Sequence, residues 1–235
     1  MKIVDQRVEY IDHMGSDLSV VNAARVSFAK ESALSDGILQ EPDVRLINYL
    51  AKHNHWSPFA HTSISFRIKA PIFVARQLVK HQIGLVWNEV SRRYVDDEPE
   101  FFFPKVWRGR PVNAKQGSSG KFSGYLFHEY GKDLVPLEFQ HGVDEGVEVI
   151  PKILEETLHL YNAMIHAGVA PEQARMVLPQ NTMTEWIWTG SLMAFARVVR
   201  LRTDEHAQQE TQEVASFLAG YCENLFPHSW KALME

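Results

Sequence analysis

A single cysteine, Cys222, stands in 235 residues. That excludes an intrachain disulfide framework and a cysteine-rich zinc site, and it suits a reducing compartment. No apolar run reaches membrane-spanning length, and the opening MKIVDQRVEYIDHMGSD is too polar for a signal peptide, so the expectation is cytoplasmic, without a membrane partner. Positive charge is not in excess: 24 Lys and Arg against 29 Asp and Glu leave −5, so nucleic acid is not expected as the main partner. A local basic site stays open. A glycine-rich dinucleotide fingerprint and a phosphate-binding P-loop are both missing. Ser91 lies in no G-x-S-x-G elbow, which argues against acyl transfer.

What is present is an ordinary globular content of apolar residues, 45%. A chain of this length can bury roughly 70% of its unfolded surface, so one domain over residues 1–235 is the expectation. Val4 to Ile11 reads as a strand, and Ser16 or Asp17 caps a helix that closes near Phe28. Pro42 opens a second helix with Val44, Ile47 and Leu50 on its apolar face. HTSISFRIKA alternates as a half-buried strand, Ile64, Phe66 and Ile68 facing one way. EFFFP from Glu100 reads as another strand. Residues 105–124 have no period and read as a flexible loop insertion. From Val143 to His166 the spacing turns helical, with Pro151 either kinking that helix or beginning its main part, and Gly168 closing it. A short helix follows Pro171, a strand runs from Thr182 to Thr189, and SLMAFARVVRLR is a helix. Asp204 is read as the cap of a last helix that ends at Leu225, before Pro227. The pattern predicts an α+β fold, a mostly antiparallel sheet flanked by helices.

The stretch from Pro71 to Tyr94, PIFVARQLVKHQIGLVWNEVSRRY, concentrates polar chemistry. Pro71 suits a first helical position and Gly84 a stop. Ile72, Val79 and Ile83 have the spacing of a buried stripe, with Gln77 and His81 together on a polar face. Asn88, Glu89, Ser91, Arg92, Arg93 and Tyr94 follow. Such a density of donors suits an anionic ligand such as a nucleotide, or else a solvated face and a charged turn.

Other clusters are less pointed. His53, His55 and His61 include an H-x-H spacing known from metallohydrolases, but no acidic residue lies among them, so no metal is expected. Cys222 sits mid-helix without a basic neighbour and reads as an inert buried thiol. Arg175, Arg197, Arg200 and Arg202 form a third group, with His206 just beyond.

ARQLVKHQ, IGLVWNEVS and RRY together resemble the signature of the flavin-dependent thymidylate synthases: Arg-His-Arg, seven or eight residues, Ser, then Arg-Tyr. The likeness extends to DLSVVNAARVSF, INYLAKHNHWSPFAH, KAPIFVARQ, EFFFP, AGVAPEQARMVLP and LRTDEHAQQE, in family order, and leaves out about 105–142. It implies reductive methylation of dUMP to dTMP, with methylenetetrahydrofolate as carbon donor, NADPH as reductant and FAD as hydride carrier. It also implies a homotetramer with sites at subunit interfaces. No enzyme nucleophile is needed, in keeping with an inert Cys222 and Ser91.

By the same resemblance, Gln77, Lys80, Glu89, Ser91, Arg92, Arg93 and Arg175 correspond to dUMP-binding positions. Arg202 matches the catalytic residue that stabilises the pyrimidine deprotonated at N3. FAD positions correspond to Ser27, Ser57, Lys80, His81, Gln82, Ile83, Glu89, Ser191, Met193, Arg197 and His206. Two departures stand out. Lys80 and Gln82 replace the signature arginines, so a point charge and a neutral amide replace two planar forks. Met193 stands where arginine is common, and Arg197 can return a cation to the flavin phosphates from another direction. Two alternatives follow: a binder of nucleotide or RNA that has lost activity on this scaffold, and a histidine-metal hydrolase.

Overall fold

The structure, a computed structural model, describes residues 1–113, 117–122, 127–130, 133–136 and 149–235. In chain order the elements are β1 (Lys2–Ile3), β2 (Arg7–Met14), α1 (Asp17–Arg25), α2 (Glu41–Lys52), β3 (Ser63–Pro71), α3 (Ile72–Leu78), β4 (Leu85–Glu89) and β5 (Glu100–Phe101). Then come β6 (Arg108–Gly109), β7 (Ser119–Lys121), β8 (Phe127–Tyr130), β9 (Asp133–Pro136), α4 (Val149–His166), α5 (Pro171–Ala174) and β10 (Met183–Gly190). Helices α6 (Leu192–Arg202), α7 (Gln209–Leu225) and α8 (Pro227–Met234) complete the chain. The α+β expectation holds.

These described elements fall into two compact units. One comprises residues 1–5, 71–73 and 90–184; the other 6–70, 74–89 and 185–235.

The second unit is built on a sheet of order β2-β3-β10-β4, in which β2 with β3 and β4 with β10 run antiparallel. The alternation in β3 is what the sequence predicts: Ile64, Phe66 and Ile68 are fully buried while Arg67 is exposed. Phe66 meets Phe195 of α6 edge-on at 5.1 Å and lies 5.7 Å from Tyr221 of α7, so these helices cover that face of the sheet. Each such aromatic contributes about 1.5–3 kcal/mol by burial, and each ring pair about 0.5–1.5 more. Helix α1 starts where Ser16 donates its N–H to Ser19 Oγ at 3.0 Å. Buried Asp17 reaches the far end of the chain, accepting from the backbone N–H of His228 (3.0 Å) and Ser229 (2.8 Å) in the first turn of α8. That helix is absent from the sequence reading, because Pro227 looks like a stop and instead occupies a first-turn position, where its missing N–H costs nothing.

The first unit packs Leu154, Leu158 and Tyr161, three or four residues apart on α4, against Phe101 and Ala174. Gly168 closes α4 with φ +85°, as the C-cap expectation required. The start of the helix read from Val143 falls on residues 143–148, which lie outside the described residues; from Val149 onward Pro151 stands in the first turn. Of the loop read at 105–124, residues 114–116, 123 and 124 lie outside the described residues. Among the described ones, Arg108–Gly109 and Ser119–Lys121 pair antiparallel as β6 and β7, and the others lie outside helices and strands.

Three further expectations are corrected. Helix α3 ends at Leu78 rather than Gly84, and its buried face is Val74, Ala75 and Leu78; Ile83 is 79% exposed. The polar run after Gly84 opens as strand β4, whose partner β10 lies about a hundred residues on and supplies the ladder that local pattern could not reveal. Finally, α7 begins after Gln208, not after Asp204, whose carboxylate instead accepts the His206 N–H at 2.8 Å within the turn.

Candidate active site

The turn between α3 and β4 is set by two glycines. Leu85 N–H donates to Gln82 C=O at 3.2 Å, and Gly84 takes φ +75° at the position where such a turn demands it. Opposite, Ser191 N–H donates to Gly84 C=O at 3.2 Å, at the end of the ladder where Gly190 pairs with Leu85. This clamp holds Gly84, the residue that follows Lys80–Ile83, at the start of α6. Ser191 caps that helix, its Oγ accepting from Ala194 N–H at 3.2 Å.

At the other end of α6, Arg202 is half-buried and doubly held. Its Nε donates to His81 Nε2 at 2.9 Å, and its Nη2 to the Gln77 carbonyl at 3.2 Å. Because a guanidinium only donates, His81 Nε2 carries no proton, and the neutral ring holds its hydrogen on Nδ1. Burial first, and the Arg202 charge second, hold the His81 pKa below its usual 6.5. The Gln77 side chain is fixed in turn by α7: its Nε2 donates to Gln208 Oε1, and its Oε1 accepts from Thr211 Oγ1 at 3.3 Å. Sequence reasoning assigned Gln208 and Thr211 no role. They lie more than 130 residues from Gln77, so only the tertiary fold could show it.

Several other candidate positions carry uncommitted donors. Lys80, Gln82 and Arg197 are exposed, and their side chains make no hydrogen bond or ion pair among the described residues. Ser27 and Ser57 are exposed, and Met193 is half-buried. His206 is exposed with its Nε2 3.5 Å from the Glu205 carboxylate. Arg200 is engaged elsewhere, donating to the Leu233 carbonyl at the end of α8. Glu89 accepts from the Trp87 indole at 3.1 Å.

In the other unit, Arg93 Nε donates to Ser91 Oγ at 3.1 Å while its guanidinium lies 5.0 Å from the centre of the exposed Tyr94 ring. Arg93 is thus pre-oriented with most of its donors unused. Arg92 has other partners: it donates to the Asp97 carbonyl at 2.9 Å and sits 6.0 Å from the Tyr161 ring centre. Arg175 is exposed, held through Nε by the Glu172 carbonyl at 3.2 Å.

The other clusters are quiet. His53 and His55 pack on Tyr49 at 4.3 and 6.1 Å, and no group of three His, Cys, Asp or Glu among the described residues is placed to hold a metal. Burial pushes the Cys222 thiol pKa up, so it is a poor nucleophile. Among the described residues no helix is long and apolar enough to cross a membrane.

A family model described as thymidylate synthase complementing protein matches residues 9–228. The chain belongs to this family. Among curated members, the flavin-dependent thymidylate synthase of Thermotoga neapolitana is 36% identical over 228 residues, covering 97% of this chain and 90% of its own. That of Thermosipho africanus is 34% identical over 236 residues, covering 100% and 93%. A solved structure of the UMP/dUMP methylase PolB from Streptomyces cacaoi bound with 5-Br dUMP superposes with a TM-score of 0.80 at 29% identity, covering 99% of this chain and 96% of that one.

Proposed function

We propose that this protein is a flavin-dependent thymidylate synthase that methylates dUMP to dTMP, working in the cytoplasm as one domain per subunit of a homotetramer. The observation that carries this reading is Arg202: a half-buried cation with two of its donors fixed and its Nη1 end left over. A fixed cation beside a pyrimidine favours the ring deprotonated at N3, which makes C5 more nucleophilic, and it needs no reorganisation when the charge develops.

Arg93 and Arg175 bind the phosphate of dUMP, where charge-assisted bonds contribute about 1.5–3 kcal/mol each, with Ser91 keeping Arg93 in place. Gln77 and Glu89 add polar contacts to the nucleoside. Arg92, held by the Asp97 carbonyl and near the Tyr161 ring, adds a further guanidinium to that substrate-binding loop.

The donor set suits a flavin dinucleotide: Lys80, Gln82 and Arg197 offer an ammonium, an amide and a guanidinium that no described side chain uses. They would hold the diphosphate, with Ser27, Ser57, Ser191 and His206 as further polar contacts. FAD, when bound, supplies hydride transfer, with NADPH and methylenetetrahydrofolate as co-substrates. The chain itself contributes orientation and charge.

The test is an anaerobic assay with dUMP, methylenetetrahydrofolate, NADPH and added FAD, following dTMP in wild type and Arg202→Ala. Formation of dTMP by wild type and its loss in the variant is the expected result. Binding of dUMP without turnover in wild type would leave an inactive nucleotide binder.

A further inference from the structure

The resemblance places His81 among the flavin contacts, yet its one hydrogen-bonding nitrogen seen in use is turned to Arg202. We propose that His81 is a positioning residue for the reaction: accepting at Nε2, it sets the direction in which Arg202 presents its free Nη1 end to the pyrimidine. The inference rests on the reading that Arg202 acts on the substrate ring.

The geometry makes this device conditional on a neutral ring. A protonated imidazole has no lone pair for Arg202 and places a second positive charge against it. Among the described residues, the charged group acting on the ring is Arg202 of α6. Gln77 from α3, with Gln208 and Thr211 at the start of α7, completes the network around Arg202 and does not titrate. Burial and the guanidinium both favour the neutral form, so the contact is complete at neutral pH. The direction of linkage follows. Below 6.5 an unfolded chain takes up this proton before the folded one does, so the contact's stabilisation declines as pH falls from there through the lower folded value. Catalysis should fall with it, about tenfold per pH unit on the acid side, as for a single essential base.

Two measurements on the full chain decide the matter. Nitrogen–proton correlation spectra of the imidazoles should show His81 as the Nδ1–H tautomer, titrating below 6.5, and its pKa should rise in Arg202→Met, or in Arg202→Gln if the first does not fold. The pH profile of kcat at saturating FAD and dUMP should show an acid limb that tracks the His81 titration. In His81→Gln, whose Oε1 lies where Nε2 was but cannot titrate, that limb should vanish, whatever the height of the remaining plateau; in His81→Ala the plateau should drop at least tenfold further. An Nε2–H tautomer, a titration unmoved by loss of Arg202, or an acid limb that survives in His81→Gln overturns the proposal. If wild type makes no dTMP at any pH, the functional reading fails by itself, and the imidazole titration alone decides whether His81 sets Arg202.

Discussion

A methyl group placed on Gly190 would lie 2.6 Å from the carbonyl oxygen of Gly84 and would run into the Leu85 side chain. The two glycines are therefore one device: Gly84 supplies a left-handed turn, and Gly190 lets the opposite strand come close enough for Ser191 to bond Gly84. The carbonyl belongs to a turn and cannot retreat without moving Gln82 and Ile83. Gly190→Ala should therefore cost about 1–3 kcal/mol, the usual cost of forcing a methyl into filled space. Thermal melting would show it. Because the clash displaces the very turn that carries Lys80–Ile83, flavin affinity should fall more than a generic loss of stability explains. A variant as stable as wild type and equally yellow would contradict the clamp.

Arg202→Lys separates charge from shape. Lysine keeps the positive charge but offers no fork to hold His81 and the Gln77 carbonyl while presenting a further pair of donors. The substitution should lower kcat by about 10²–10³, the range for removing one placed donor, and change the KM for dUMP by much less. Steady-state kinetics under anaerobic conditions gives both numbers. A large rise in KM with kcat intact would assign Arg202 to binding rather than to the reacting ring.

Much of this was legible in the sequence, and what was hidden has a common cause. Ile64, Phe66 and Ile68 announced their strand because period-two burial is local, and Ser16, Pro42 and Pro171 announced helix starts because first-turn signals are local. The stretch after Leu78 misled for the opposite reason. Its spacing continues a helix on paper, but the ladder with Trp186–Gly190 outweighs that preference and leaves Ile83 in solvent. Candidate residues could be named from motif spacing. That Arg202 meets His81 across 121 residues, or that Gln208 grips Gln77 across 131, is tertiary information that spacing does not contain.

Asp17 joins the first helix to the last, and its removal should be felt at the far end of the chain. Its two oxygens satisfy the N–H groups of His228 and Ser229, which lie in the first turn of α8 and have no partner within that helix. Asp17→Ala should cost about 1–2 kcal/mol, as loss of a helix cap does, with a further share because the orphaned donors are partly or fully buried. Hydrogen exchange should quicken selectively in α8, while dUMP binding stays unaltered. Uniform loss of protection throughout the chain would mean that α8 does not unfold on its own.

Arg197 is the place to test how the altered signature is tolerated. With Lys80 and Gln82 in place of two arginines, the segment carries one cation fewer than the motif it resembles. Arg197 stands exposed on α6 without a described partner, beyond the capped turn of Ser191. If it supplies the missing charge to the flavin phosphates, Arg197→Ala should weaken FAD binding about tenfold or more, since a charge-assisted bond contributes about 1.5–3 kcal/mol. The oligomer should remain intact by light scattering, and Lys80→Arg in the same background should recover part of the loss. Fluorescence titration of FAD into the apoprotein measures both. Unchanged FAD affinity in Arg197→Ala would remove Arg197 from the cofactor site and leave Lys80 as its principal cation.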